Sequence, residues 1–430
     1  MLSISYKSVF YLALLGFCII FLIVRQVMSK DRSQIWSPLT FFSLIFLYYI
    51  VLPAWGDLNL YGANVATQQH LFYEVALLFF ICIIVGFSIK TKSSFSKWNS
   101  IFSTENIFWL GGALFIFALV CYVPFRGFRY TIAADDAIRV SSRTGLISYL
   151  IDLISLFCAS CGLLLINIKF NYKKARSWIV FLVVVYLSIV AYVVGGFRMR
   201  IVWLIITLLT LFHLSVKVRR PNLILIVTIS VIAYIGFAIM DTTRNYGQGI
   251  DLDAASELSA EDVRKGASEN VDVCCFSIAT LDYSARNHYR IGFEPIITAA
   301  LMPIPRTFFP WKPNGMYIRE IQVLVAGDDS DGAAFLVFVE AFLAFGWIGV
   351  VLYGLFIGWL AGVFWRNYQN NKGSIGAVLL LALFNGFCYD WISRGYMAGI
   401  FNNFIYFVIM PFWLSQLLIF LKGLFFRQRI

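Results

Sequence analysis

Runs of apolar residues recur along nearly the whole chain, separated by short polar turns and by one long polar stretch. A run of roughly 20 apolar residues spans the hydrocarbon core as a helix, because each backbone N–H and C=O is then paired within the segment. On that length criterion the pattern predicts about eleven spans. They lie near Val9–Val24, Leu39–Ala54, Leu71–Ile89, Phe108–Val123, Ser148–Ile166, Trp178–Val194, Ile201–Leu214, Leu223–Met240, Trp347–Trp365, Ile375–Tyr389 and Phe401–Phe420. Ala333 to Phe345 is apolar but too short to cross, and it ends at Phe345-Gly346-Trp347. A short re-entrant helix is expected there. The long polar stretch is Asp241 to Gly332. The expected organisation is an N-terminal bundle of about eight helices over 1–240, a large loop over 241–332, and the re-entrant helix with the last spans over 333–430.

Composition agrees with an all-α integral membrane protein. The chain is 60% hydrophobic and only 13% charged, where a soluble domain carries roughly a quarter charged residues. Its 18% of aromatics suits interfacial belts. The first apolar run lacks a small-residue cleavage site, so no cleaved leader is expected. The net charge of +11 has to be divided between two membrane faces before it says anything about partners. One set of alternate loops is rich in lysine, among them Lys30, Lys90, Lys92, Lys97, Lys169, Lys173, Lys174 and Lys217. Positive charge in short loops marks the cytoplasmic side. The N-terminus is then outside, the C-terminus inside and 241–332 periplasmic, in a multi-pass protein of the bacterial inner membrane. No nucleic-acid partner is implied.

The opposite face is unusual because its cations are almost all arginine. They include Arg126, Arg129, Arg139 and Arg143 in one short loop, Arg198 and Arg200 in a turn, Arg290 and Arg306 in the long loop, and Arg394. Guanidinium offers a planar fork that grips phosphate oxygens bidentately, which ammonium cannot do.

Several constellations could carry chemistry. Gly195-Gly196-Phe197-Arg198-Met199-Arg200 joins two spans by a turn too short to leave the membrane surface. Its arginines either neutralise a lipid pyrophosphate or snorkel to ordinary headgroups. Four of the ten prolines fall in Pro303 to Pro313, a stiff extended strip bearing Arg306 and Lys312 among aromatics. Arg126 and Arg129 precede a ladder of Asp135, Arg139 and Arg143 at helical spacing, which fits salt bridges as well as ligand binding. Glu340 is a carboxylate at membrane depth, costly unless paired or functional. Asp152 and Asp390 raise the same question, and structural ion pairs are the commoner answer. His288, between Arg286 and Arg290, is the best-placed histidine for a general base, against the plainer reading of a surface residue. Six of the eight cysteines lie in or at apolar runs, while Cys274 and Cys275 fall in the long loop, free or bonded. There is no metal-ligand spacing, Walker loop, dinucleotide fingerprint or nucleophile elbow, so neither metal nor cofactor is expected.

Taken together, the helix count, the Gly-Gly-x-Arg turn at Gly195–Arg198, the large loop, the Ile304-Pro305-Arg306 through Lys312-Pro313 strip and the Glu340–Gly346 segment resemble the Wzy-type O-antigen or oligosaccharide repeat-unit polymerases. The resemblance implies a GT-C-like membrane transferase. Such an enzyme moves a growing glycan from undecaprenyl pyrophosphate onto a sugar hydroxyl of an incoming lipid-linked repeat unit, without a metal. The reading of the residues agrees, with Arg198, Arg200, Arg306, Lys312, Arg126, Arg129 and Arg290 as candidate pyrophosphate ligands and His288 or Glu340 as the group expected to handle the acceptor. The lipid-linked oligosaccharide and membrane lipid are the implied partners, with a chain-length regulator and a flippase as further candidates. An O-antigen ligase shares the donor and is the nearest alternative. A flippase or other transporter is a second, although a long outer loop with a stiff proline strip is not what alternating access requires.

Overall fold

A computed structural model describes residues 6–55, 65–91, 95–126, 131–132, 152–171, 174–195, 197–215, individual positions between 224 and 259, 269–302, 304, 311, 317–327 and 334–427. The principal helices are α1 (Tyr6–Met28), α2 (Pro38–Phe46), α3 (Val65–Ser88), α4 (Ile107–Arg126), α5 (Leu156–Phe170), α6 (Ala175–Val194) and α7 (Arg198–Leu214). Then come α8 (Glu269–Asn287), α9 (Glu294–Leu301), α10 (Tyr317–Ala326), α11 (Val337–Asn370), α12 (Ile375–Phe387), α13 (Met397–Phe404) and α14 (Met410–Arg427). Among the described residues the one β-ladder pairs Arg244 with Ile250 and Asn245 with Gly249.

Seven helices among the described residues are long and apolar enough to cross a membrane: Tyr6–Met28, Gln69–Ser88, Leu153–Phe170, Ala175–Val194, Val337–Asn370, Ile375–Ser393 and Met397–Leu424. The expected spans at Leu39–Ala54 and Phe108–Val123 correspond to shorter apolar helices, Pro38–Val51 and Ile107–Val123. The one expected at Ile201–Leu214 lies in the 17-residue α7. Most of the one expected at Leu223–Met240 lies outside the described residues. The protein is therefore a multi-pass, essentially all-helical membrane protein.

By contact the chain folds as two compact units, each discontinuous in sequence. The first comprises 1–93, 268–366 and 388–402. Its framework is α3 against the C-terminal part of α11. Gly354, Gly358 and Gly362 recur every fourth residue of α11, a spacing that lets two membrane backbones approach closely. A Cβ on Gly358 would lie 2.1 Å from the Ile83 carbonyl oxygen. Backbone cannot yield as a flexible side chain would, so Gly358→Val should cost about 1–3 kcal/mol by overpacking. Thermal unfolding in detergent checks this, and an unchanged midpoint would exclude the close packing. Phe46, Phe72 and Phe79 cluster around Phe338 at the start of α11. Against α1, only one stripe, including Leu15, Ile19 and Leu22, is covered, while Phe10, Phe17, Ile20 and Phe21 are exposed to the lipid that surrounds such a helix.

The long loop is not a separate soluble module at its C-terminal side. α8 packs on α3, and its Val273, Cys274, Cys275, Phe276 and Ile278 are buried. Neither cysteine is in a disulfide. Both side chains are completely buried.

The second unit comprises 94–267, 367–387 and 403–430. Here α5 packs between α4 and α6, and α7 packs on α12. Trp203 of α7 sits between Phe387 and Phe407, with ring centroids 5.2 and 4.8 Å away.

Candidate functional site

The first unit contains a carboxylate with no solvent exposure. Glu340 lies in the first turn of α11. Tyr317 of α10 donates its hydroxyl to Oε1 at 2.5 Å. The backbone N–H of Met397, first residue of α13, reaches both carboxylate oxygens at 3.0 and 2.8 Å. The carboxylate thus satisfies an otherwise unpaired donor at a helix N-terminus, where negative charge is favoured. Tyr396 packs on Tyr317 with ring centroids 6.3 Å apart. Burial, followed by the charge of Glu340, holds the Tyr317 phenol far above its ordinary range, so it remains a donor. The Tyr353 hydroxyl is buried without a hydrogen-bond partner among the described residues.

α11 is broken where the sequence suggests. Phe345 (φ −138°, ψ 20°) and Gly346 (φ 62°, ψ −142°) are non-helical, and the positive φ of Gly346 favours glycine. The piece before the break, Val337–Ala344, is about 12 Å long at 1.5 Å per residue, too short to cross a bilayer. It folds back so tightly that a Cβ on Gly349 would meet the Ala341 carbonyl oxygen at 2.1 Å.

Arg290 stands at this break. The Ile291 N–H donates to the Leu343 carbonyl at 3.0 Å, pairing one of the orphan acceptors at the end of the short helix. That bond lays Arg290 over the Phe342 ring, its guanidinium carbon 4.8 Å from the centroid. Its Nη1 donates to the Ser284 hydroxyl at 2.5 Å and the Tyr289 carbonyl at 2.8 Å. No described residue accepts from its Nε–Nη2 edge, and no described carboxylate pairs with it. One nitrogen anchors the group while its bidentate edge stays open. Partial burial lowers its pKa from the ordinary value, but guanidinium stays protonated.

His288 occupies a different kind of position. It is exposed and has φ 52°, just past the end of α8, where glycine is usual. This backbone role gives a clean separation. His288→Gly should raise stability by about 1 kcal/mol, since left-handed geometry strains any residue with a Cβ. A general-base role would additionally cost activity. Unfolding and turnover measured on the same variant distinguish the two, and a lowered unfolding midpoint would contradict the backbone account.

In the second unit the glycine-arginine turn is built around Phe197. A Cβ on Gly195 would lie 2.4 Å from the Phe197 ring. Arg200 stacks on the same ring at 4.3 Å and pairs with Asp152 at 3.0 Å, its side chain 7% exposed. Arg200 is therefore held in a part-buried ion pair, the answer expected for Asp152. Asp152 keeps 25% of its side chain exposed, so losing Arg200 costs the charged hydrogen bond, about 1.5–3 kcal/mol, rather than a fully stranded charge. Arg200→Ala should lower the unfolding midpoint sharply, and Asp152→Ala/Arg200→Ala should recover part of it. Normal stability in Arg200→Ala would remove the pair from the framework. Arg198 opens α7.

Arg126 closes α4, and its side chain, like Arg129, Arg306 and Lys312, lies outside the described residues. What the residue pattern missed are the partners of Glu340 and Arg290, namely Tyr317, Met397, Phe342 and Ser284. Tyr317 is 23 positions from Glu340, and Met397 is 57, separations at which no local pattern operates.

A buried carboxylate and an anchored guanidinium, both at the short first piece of a broken membrane helix, place polar chemistry at the membrane in a multi-pass protein. The family model of O-antigen polysaccharide polymerase Wzy matches residues 1–429. The chain belongs to that family. It is a membrane polymerase of the glycosyltransferase type, acting in O-antigen polysaccharide biosynthesis. No curated protein and no solved structure matches it.

Proposed function

We propose that the protein transfers a growing glycan from undecaprenyl pyrophosphate to a sugar hydroxyl of an incoming undecaprenyl-pyrophosphate-linked repeat unit, on the periplasmic face of the inner membrane. The sugar C1–O bond to the pyrophosphate breaks, a C1–O bond to the acceptor oxygen forms, the hydroxyl proton passes to a base, and undecaprenyl pyrophosphate leaves. The observation that carries this reading is the open Nε–Nη2 edge of Arg290, anchored through Nη1 at the break in α11. A fixed guanidinium stabilises charge developing on the leaving pyrophosphate without reorganising during the reaction. Arg198, Arg306, Lys312, Arg126 and Arg129 are proposed as further ligands, and Glu340 or His288 as the group that receives or orients the acceptor proton. The finer architecture belongs to the same proposal: eleven spans including a GT-C-like arrangement, a re-entrant Val337–Ala344 helix and a periplasmic 241–332 loop. A chain-length regulator and a flippase would be its functional neighbours.

The experiment is turnover of purified protein on lipid-linked repeat units. Polymer should form in excess EDTA, because arginines supply the positive charge. Activity abolished by EDTA and restored only by magnesium or manganese would overturn the arginine account. Transfer to lipid A core in place of a second repeat unit would replace polymerase by ligase.

A further inference from the structure

α9 presents an unbroken apolar face outward. Phe293, Ile296, Ile297 and Ala300 fall at i, i+3, i+4 and i+7, one stripe of a helix. Phe293 is 65% exposed, Ile296 44% and Ile297 45%. Pro295 and Thr298 on the other side are buried. Glu294, in the first turn, is the one charged residue from Ile291 to Ile304. A contiguous exposed apolar stripe marks a surface that meets something other than water.

The place of the stripe identifies what covers it. The Phe293 ring touches Phe345, with centroids 4.8 Å apart, and the Ile291–Leu343 hydrogen bond ties the same segment to the break in α11. Immediately beyond that break the membrane-spanning part of α11 begins, and its Trp347, Ile348 and Leu352 are 41, 68 and 60% exposed. On a helix that crosses a bilayer such residues face lipid. The α9 stripe therefore starts within one ring contact of a lipid-facing surface, at the end of the span rather than its middle. An amphipathic helix at that level lies in the interface with its apolar face among the upper acyl chains.

We propose that α9 is an interfacial helix embedded in one leaflet of the bilayer, and that it holds Arg290 at the depth of the lipid phosphates. The occupant of the stripe is phospholipid, not a second copy of the chain. The inference requires only the membrane-spanning fold and would survive failure of the catalytic reading of Arg290.

The test uses the full-length protein in vesicles of phosphatidylethanolamine and phosphatidylglycerol carrying a small fraction of phospholipid with a diazirine in its acyl chain. After illumination, peptides are mapped by mass spectrometry. The peptide containing Phe293–Ala300 should be labelled to the same extent as that containing Trp347–Leu352, while the buried Val273–Ile278 stretch of α8 stays unlabelled. In Ile296→Glu/Ile297→Glu the label on α9 should be lost and that on Trp347–Leu352 kept, which also shows that the variant is inserted. Labelling of Trp347–Leu352 with none on α9 in the unmodified protein would overturn the proposal. So would a disulfide-linked dimer of the Ile296→Cys variant formed on oxidation in the same vesicles.

Discussion

Arg290→Ala should abolish glycan ladder formation while leaving the protein inserted in the membrane. If Arg290 clamps the pyrophosphate, the variant removes a charge-assisted contact that bound substrate would desolvate, a loss of about 2–5 kcal/mol. At about 1.4 kcal/mol per factor of ten in rate, turnover falls by roughly two orders of magnitude or more. Arg290→Lys restores charge without the fork and should recover only part of it. Ser284→Ala tests the anchoring separately. It leaves the guanidinium in place but removes the acceptor 2.5 Å from Nη1, so it should lower turnover less than Arg290→Ala. The measurement is the ladder from a deletion strain complemented with each variant at matched protein level. Full-length ladders from Arg290→Ala would end its role as a pyrophosphate ligand and turn attention to Arg198 and Arg306.

Much of this architecture is legible in the residue order because lipid imposes a simple rule. Each span must be long and apolar, so α1, α6 and the α11 break at Phe345-Gly346-Trp347 can be read from local pattern. The glycine-arginine turn is legible too, but its division of labour is not. Nothing local says that Arg200 turns inward to Asp152, 48 positions away. The same limit hides the environment of Glu340. Its cost at membrane depth signals that a partner must exist, yet the donors come from α10 and α13. The packing within the long loop is not legible locally, for a physical reason. α8 has serine, aspartate and arginine scattered through it, which lowers its mean hydropathy and gives it the look of a soluble helix, yet Val273 to Asp282 are buried on every side of it. His288 is exposed, and its backbone has a role of its own. A residue at positive φ after a helix is there to end it, and chemistry is an addition to that role.

Glu340→Gln should separate catalysis from architecture in the other half of the site. Glutamine keeps the volume and one carbonyl acceptor for the Met397 N–H, and the Tyr317 hydroxyl can rotate to accept from its amide. Stability should therefore stay near that of the unmodified protein. If Glu340 takes or orients the acceptor proton, turnover should fall by about 10²–10⁴-fold, the usual worth of general acid–base assistance. Glu340→Ala should do both kinds of damage. It leaves the Tyr317 hydroxyl and the Met397 N–H buried without an acceptor, at about 1–3 kcal/mol each, and it detaches the start of α13 from α11. Tyr317→Phe completes the set, because it removes one donor and spares the charge. Its unfolding midpoint should drop modestly, and its turnover should fall far less than that of Glu340→Gln. Unfolding in detergent and ladder formation at matched level are read on all three variants. Full ladders from Glu340→Gln, with the destabilisation confined to Glu340→Ala, would make the carboxylate a cap for the last membrane helix and leave His288 as the remaining candidate for the acceptor proton.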